Sequence, residues 1–228
     1  MTENSADYPR FFGRRKGRPL SQNMHRLLDE VLPEVVIPAD NDALVSDDDT
    51  ADNPLILEIG FGGGEHLAQL AAGQPESQFI GAEPFINGVV SLLRQIEDDQ
   101  LQNIRIWPDD VRLLLARIPD NSLSGVYVMF PDPWPKFRHA GRRIINQDML
   151  TRLSAKIKPQ GFLRMASDHP VAKTWLLAEA IRHPDFIWTA ETAQDWRTRP
   201  KGWPETRYMA KGYREGRYPA WYDFRRTL

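Results

Sequence analysis

The residues with the most chemical promise fall in three short stretches. Leu-Ile-Leu-Glu-Ile-Gly-Phe-Gly-Gly-Gly-Glu runs from Leu55 to Glu65, Gly81-Ala82-Glu83 comes next, and Phe130-Pro131-Asp132-Pro133-Trp134-Pro135-Lys136 lies further on. They offer carboxylates, bare glycine backbone and a stacking aromatic. They offer no thiol, because the chain has no cysteine. A thiol nucleophile, a Cys-ligated zinc and a Cys-held iron–sulfur cluster are thereby excluded. The five histidines are scattered without ligand spacing, so no metal is expected.

In the first stretch Gly60, Gly62 and Gly64 permit a tight turn against which a ligand can lie. A dinucleotide fingerprint needs glycine where Glu65 stands. A carboxylate at that helix start competes with any bound phosphate. The turn therefore suits a ligand without phosphate, and S-adenosylmethionine, a nucleoside carrying a cationic sulfonium and an amino acid, is one. Acids close three successive strands to receive it. Glu58 is placed for the methionyl part, directly or through water, Glu83 for the ribose hydroxyls, and Asp109-Asp110 for the adenine amino group.

The third stretch is stiffened by prolines at three of its positions from Pro131 to Pro135. Rigidity serves a carboxylate that must meet a planar heterocycle in one orientation. Asp132 can accept the N–H donors of a guanine edge or the amino group of adenine. Trp134 can stack on a base, worth about 1–3 kcal/mol. Lys136, Arg138, Arg142 and Arg143 follow without an intervening acid, a set suited to phosphates, and His139 lies among them. The plainer reading, a rigid turn with a core tryptophan and exposed bases, is weakened by the position beside the glycine turn.

What must position these residues is a set of alternating strands and helices. Strands are expected at Leu55–Ile59, Gln78–Ala82, Ile104–Trp107, Leu123–Phe130 and Phe162–Ala166. Helices are expected near Glu65–Ala72, Asn87–Asp98, Val111–Arg117, Gln147–Lys158 and Val171–Ile181. The strands are apolar on both faces, as in an α/β doubly wound, mostly parallel sheet covered by helices on both sides. Such sheets bind ligands at the carboxyl ends of their strands, where all three stretches fall. Trp175 is expected in the core, and Trp188, Trp196 and Trp203 in core or edge packing.

Charge divides the chain. Between Arg10 and Leu28 there are six Arg or Lys and no acid, and between Asp40 and Asn53 six Asp and no base. From Arg197 to Arg226 nine basic residues face three acidic ones, 9 − 3 = +6. The formal net charge of −2 hides two basic ends interleaved with aromatics, which favour a phosphate-rich partner. The expected organisation is a basic N-terminal segment at 1–38, an acidic flexible insert at 39–53 and one catalytic domain at 54–228. No apolar leader is visible at the N-terminus, and the longest uncharged stretch, Asn121–Pro131, is too short to span a bilayer. A soluble, cytoplasmic protein without a membrane partner, monomer or homodimer, is the expectation.

Together, Leu57-Glu58-Ile59-Gly60-Phe61-Gly62, Gly81-Ala82-Glu83 and Phe130-Pro131-Asp132-Pro133-Trp134-Pro135-Lys136 resemble the bacterial tRNA (guanine-N7-)-methyltransferases. The likeness continues through Arg138-His139, Arg142-Arg143, Ser167-Asp168, Thr206-Arg207-Tyr208, Arg14-Arg15-Lys16-Gly17-Arg18 and Trp221-Tyr222-Asp223-Phe224. The resemblance implies a Rossmann-like class I methyltransferase fold, S-adenosylmethionine as methyl donor, and tRNA as partner, with guanine 46 of the variable loop as target. It also implies that Glu58, Gly60, Gly62, Glu83, Asp110 and Asp132 line the cofactor site. Asp132 falls at the catalytic acid position, while Lys136, Asp168 and Thr206 fall at substrate contacts. Spacing from Glu83 favours Asp110 and spacing back from Phe130 favours Asp109. Asp110 is the choice. One departure stands out: Met209 replaces the Glu that usually follows the Thr-Arg-Tyr motif, so Asp132 and Asp168 suffice, Glu205 or another acid substitutes, or activity is lowered.

Guanine N7 carries an in-plane lone pair and needs no prior deprotonation, so alignment is the main demand on the enzyme. Two alternatives share parts of this reading. Pro-Asp-Pro-Trp is similar to the loop of amino methyltransferases, which would make adenine N6 or a similar amine the acceptor. A non-enzymatic RNA-binding module with a vestigial pocket rests on Met209 alone.

Overall fold

In the computed structural model, which describes residues 11–39, 53–201 and 203–227, the first glycine stretch begins with β1 (Leu55–Ile59). All five of its residues are buried, Leu57 and Ile59 facing one hydrophobic cluster and Ile56 the other. This is the double-sided burial that a central parallel strand requires. The chain continues through α1 (Glu65–Gly73), β2 (Gln78–Ala82), α2 (Ile86–Asp98), β3 (Ile104–Trp107), α3 (Val111–Leu115) and β4 (Leu123–Met129). After a 3₁₀ turn at Phe137–Arg142 come α4 (Gln147–Lys156), β5 (Ile157–Ser167), α5 (Pro170–Arg182), β6 (Phe186–Trp188), α6 (Ala193–Arg197), α7 (Arg207–Arg214) and β7 (Ala220–Arg226).

The seven strands are ordered β3-β2-β1-β4-β5-β7-β6. Pairing is parallel except where β7 runs antiparallel between β5 and β6. The chain reverses direction across the sheet at β1 and β4, so the turns after these two strands open side by side. Helix α2 shows why the covering elements form. Val89, Val90, Leu92, Leu93 and Ile96 are buried on one stripe, at the spacing of a helix that packs through one face.

Two differences from the expected elements have local causes. Helix α4 stops at Lys156 and β5 starts at Ile157, five residues before the expected Phe162. Pro159 cannot continue a helix, and Gln160 adopts φ +64°, so the strand accommodates an irregularity, visible as a register shift between Leu123 and Gly125. Strands β6 and β7 were not expected from the sequence, because β6 has three residues and β7 mixes aromatics with Asp223, Arg225 and Arg226.

Residues 22–35 form short helical turns, with Leu27 and Val35 packed into the second hydrophobic cluster. Ile37 donates its N–H to the Ile106 carbonyl at 2.9 Å, fastening this segment beside β3. The Asp-rich stretch from Asp40 to Asp52 lies outside the described residues, as does Arg10 of the basic run. No helix among the described residues is long and apolar enough to cross a membrane.

Candidate active site

Gly60, Gly62 and Gly64 hold positive φ angles of 69°, 58° and 83°, a conformation that other residues reach only with strain. A Cβ on Gly64 would come within 2.7 Å of Leu92, and one on Gly88 within 2.2 Å of the Gly62 carbonyl oxygen. Those two glycines let α2 press against the turn. A Cβ on Gly60 or Gly62 would meet nothing within 4 Å. Here bare backbone borders open space, as a ligand lying along the turn requires.

Glu83, buried at the end of β2, accepts the backbone N–H of Gly62 and of Phe85, both at 2.9 Å. Burial pushes its pKa above the ordinary 4.5, the two N–H bonds pull it down, and the charges of Asp132 and Glu58 push it up again. Three of the expected site acids therefore act in one electrostatic neighbourhood. Glu58 is 1% exposed and is held by His66 Nδ1 at 2.8 Å. Open glycine backbone beside clustered carboxylates fits the cationic, phosphate-free S-adenosylmethionine. Among the described residues no group of three or more His, Asp or Glu stands together to hold a metal.

At the end of β3 the two aspartates differ. Asp110 caps α3, accepting the Arg112 N–H at 2.9 Å, and also accepts from the Arg112 side chain. Asp109 accepts the Asp110 N–H at 2.7 Å and pairs with Arg15 at 2.8 Å. The basic N-terminal segment is thus strapped across the strand ends. Arg15 accepts the Ile86 N–H through its carbonyl at 3.0 Å, and Gly17 donates to Asn87 Oδ1 at 2.8 Å. Farther along the same edge, the Arg142 guanidinium lies 5.0 Å from the rings of both Phe12 and Trp134.

The proline-rich loop after β4 is held in an uncommon shape. Phe130 and Trp134, on either side of Pro131-Asp132-Pro133, have φ of +52° and +39°, left-handed values that are unusual for aromatics. Arg143 pins the loop. Its Nε donates to the Pro133 carbonyl at 3.2 Å, a terminal nitrogen donates to the Trp134 carbonyl at 3.0 Å, and its guanidinium stacks 4.3 Å from the Trp175 ring. The expected phosphate-contact role of Arg143 is therefore corrected: the residue is buried, and its donors face protein carbonyls. Trp175 is half-buried and serves as this platform, its Nε1 donating to the Ile145 carbonyl at 2.7 Å.

Asp132 and Lys136 are exposed on the loop, as is Arg138. His139 is edge-on to Trp134 at 5.8 Å. Desolvation and the nearby cations Arg142, Arg138 and Lys136 lower its pKa below the ordinary 6.5, so it adds no full charge at neutral pH.

A second group forms at the end of β5. Asp168 is buried and accepts Arg217 Nε at 2.8 Å. Helix α7 approaches so closely that a Cβ on Gly212 would lie 2.6 Å from Asp168 Oδ2. Thr206 caps that helix, its Oγ1 accepting the Met209 N–H at 3.3 Å. Met209 is 1% exposed and belongs to the cluster that includes Trp203 and Trp221, so it contributes packing where an acid was expected. Glu205 is exposed and pairs with Arg199 at 3.3 Å. The residues missed from sequence are Arg143 as a clamp, Arg15 as a partner of Asp109, Arg217 as a partner of Asp168, and His66. Only His66 carried a signal, being two residues past the last glycine of the turn.

A doubly wound sheet in this strand order, with a glycine turn after β1 and acids at the following strand ends, defines a class I methyltransferase. The fold is similar to that of a rRNA methylase from Streptococcus thermophilus, with a TM-score of 0.52 and 11% identity over 92% of this chain and 100% of that one. It is also similar to a precorrin-6y C5,15-methyltransferase from Geobacter metallireducens, with a TM-score of 0.52 and 11% identity over 77% and 81% of the two chains. A family model described as "Putative methyltransferase" matches residues 52–219. The tRNA (guanine-N(7)-)-methyltransferase of Rhodospirillum rubrum is 45% identical over 235 residues, covering 99% of this chain and 91% of its own. That of Zymomonas mobilis is 39% identical over 231 residues and covers 100% of both chains. The chain belongs to the tRNA (guanine-N7-)-methyltransferase family.

Proposed function

We propose that the protein transfers the methyl group of S-adenosylmethionine to N7 of a guanine in tRNA, at position 46 of the variable loop. The observation that carries this reading is the open glycine turn after β1, bonded to Glu83 and set beside the Asp132 loop by the pairing of β1 with β4, in a chain of this family. Glu58, Gly60, Gly62, Glu83, Asp110 and Asp132 hold the donor, which supplies an electrophilic methyl group on a cationic sulfur. The acids favour that cation, and the open glycine backbone lets it lie close.

Asp132, on a loop fixed by Arg143, accepts the N1 and N2 protons of the guanine and so orients N7. As positive charge develops on the purine, the same carboxylate stabilises it. Lys136, Asp168 and Thr206 contact the substrate, Lys136 from the exposed loop tip. The basic N-terminal segment, 1–38, and the acidic stretch, 39–53, precede the methyltransferase domain, 54–228. The enzyme works in the cytoplasm as a monomer or homodimer. A flexible tRNA loop suits it, because the deep major groove of an A-form duplex hides N7. The relatives are named for guanine N7, which favours this acceptor over an exocyclic amine.

Incubation with labelled S-adenosylmethionine and unmodified tRNA, then aniline cleavage, tests the reading. The expected result is label in tRNA and strand scission at one guanine. Label on an exocyclic amine, or no transfer, refutes it.

A further inference from the structure

His66 and Glu58 form a pair with side chains only 3% and 1% exposed, joined from Nδ1 to Oε2 at 2.8 Å. The imidazole is locked among aromatic rings. It meets Tyr127 edge-on at 4.9 Å and Trp203 at 6.1 Å, and those two rings meet each other at 5.5 Å. Its Nε2 is buried with no hydrogen-bond partner among the described residues. Leaving a buried ring nitrogen unpaired costs stability that an apolar side chain of similar size would avoid. What the ring offers in return is the Nδ1 contact to Glu58.

The surroundings explain why Glu58 needs that contact. Gly81, Glu58, Tyr127, Arg164 and Asp223 stand in register across β2, β1, β4, β5 and β7. Gly81 has no side chain to offer Glu58. The Tyr127 hydroxyl accepts from Arg164 at 2.9 Å, and Arg164 Nε donates to Asp223 at 3.0 Å. The hydroxyl of the neighbour on the other side is thus turned to Arg164, and the side chain that meets Glu58 comes from α1. Glu58 in turn lies two residues before Gly60, where bare backbone borders open space.

We propose that His66 is a positioning residue for the methyl donor, orienting the Glu58 carboxylate toward the methionyl end. The proposal rests on the reading of the glycine turn as the S-adenosylmethionine site. Calorimetry on the full chain with two probes tests it: S-adenosylmethionine, and 5′-methylthioadenosine, which lacks the amino-acid end. An Asn amide nitrogen can stand where Nδ1 stands, whereas that of Gln falls nearer Nε2. His66→Leu and His66→Gln should therefore weaken S-adenosylmethionine about tenfold while changing methylthioadenosine less than about twofold, and His66→Asn should stay within about threefold of wild type. Equal losses on both probes, or wild-type affinity in His66→Leu, overturn the proposal. Should His66→Leu fail to show a cooperative melt, equal S-adenosylmethionine affinities in the Asn and Gln variants overturn it instead. A wild-type protein that binds neither probe refutes the reading of the turn, a result distinct from any of these.

Discussion

Replacing Arg143 should damage catalysis without touching any group that meets a substrate. Phe130 and Trp134 hold left-handed backbone angles of +52° and +39°, each costing about 1–3 kcal/mol. Arg143 opposes that cost with two charged donors, at 3.2 Å to Pro133 and 3.0 Å to Trp134, and with a stack on Trp175 at 4.3 Å. Hydrogen bonds from charged groups are worth about 1.5–3 kcal/mol each and the stack about 1 kcal/mol, so the two sides are of similar size. Without the guanidinium the strained loop has reason to relax, and Asp132 moves with it. Arg143→Ala should lose about 2–4 kcal/mol of stability, lowering Tm by roughly 4–16 °C.

The larger effect should fall on the reaction. A displacement of about 1 Å in an aligned site can cost on the order of a hundredfold in rate, so kcat/KM should fall by about that factor. Arg143→Lys should rescue little, because an ammonium lacks the planar fork that reaches both carbonyls. Initial rates with unmodified tRNA, calorimetric S-adenosylmethionine binding and thermal melts separate the effects, with cofactor affinity expected to change least. A kcat/KM within about threefold of wild type in Arg143→Ala would refute the clamp, because the strain argument predicts far more.

Asp132→Ala should abolish turnover while weakening cofactor binding less; nearly unchanged kcat, measured by methyl incorporation, would remove Asp132 from the reaction. Glu83 has a pKa raised above 4.5, chiefly by burial. Its folded form takes up a proton at a higher pH than its unfolded form, so its ionisation disfavours folding as pH rises through the folded value. The ribose contact needs the carboxylate, so S-adenosylmethionine affinity should fall on acidification while pH is still above the ordinary Glu range. Calorimetry over an acid titration from neutral pH should show that dependence begin above the ordinary Glu range in wild type and lose it in Glu83→Gln. Deleting Met1–Arg18 should raise the tRNA KM more than it lowers kcat and should flatten the salt dependence of binding; an unchanged salt slope would deny this segment a phosphate contact. Met209→Glu should lower Tm by about 4–8 °C rather than improve activity, since an unpaired carboxylate would enter the cluster around Trp203 and Trp221.

The sheet was legible where each strand is a short apolar run closed by an acid or a glycine, as Leu55–Ile59 and Gln78–Ala82 are. It was illegible in β7, whose Asp223 and Arg225 read as surface. Asp223 is tolerated there because Arg164 on the adjacent β5 meets it at 3.0 Å, and Arg164 itself stacks 4.2 Å from Phe162. That compensation joins residues 59 positions apart, so no local pattern could announce it. The site divides in the same way. The acids at the strand ends could be found by position, because α/β topology fixes where ligands sit. Their partners could not, since Arg217 reaches Asp168 across 49 positions and Arg143 reaches back to carbonyls that carry no sequence signal.

The same distinction changes what the basic ends mean. Counted along the chain, Arg15, Arg143 and Arg217 belong with Lys136 and Arg138 as charges awaiting phosphate. In the fold, Arg15 is paired with Asp109, Arg143 is spent on two loop carbonyls, and Arg217 is paired with Asp168 and Glu215. Lys136 and Arg138 remain exposed at the loop tip, next to the carboxylate of Asp132. An arginine that neutralises an internal acid contributes little to the field a polyanion meets, whereas one at an exposed tip acts at full strength within a Debye length of about 8–10 Å. Among the described residues the RNA-facing charge is therefore carried by this loop tip and by the exposed Arg14, Lys16 and Arg18 of the N-terminal segment, while Arg143 and Arg217 set the shape of the site. Neutralising Lys136 and Arg138 together should reduce the salt slope of tRNA binding by about two counterions, while removing Arg217 should leave that slope unchanged and act through Asp168.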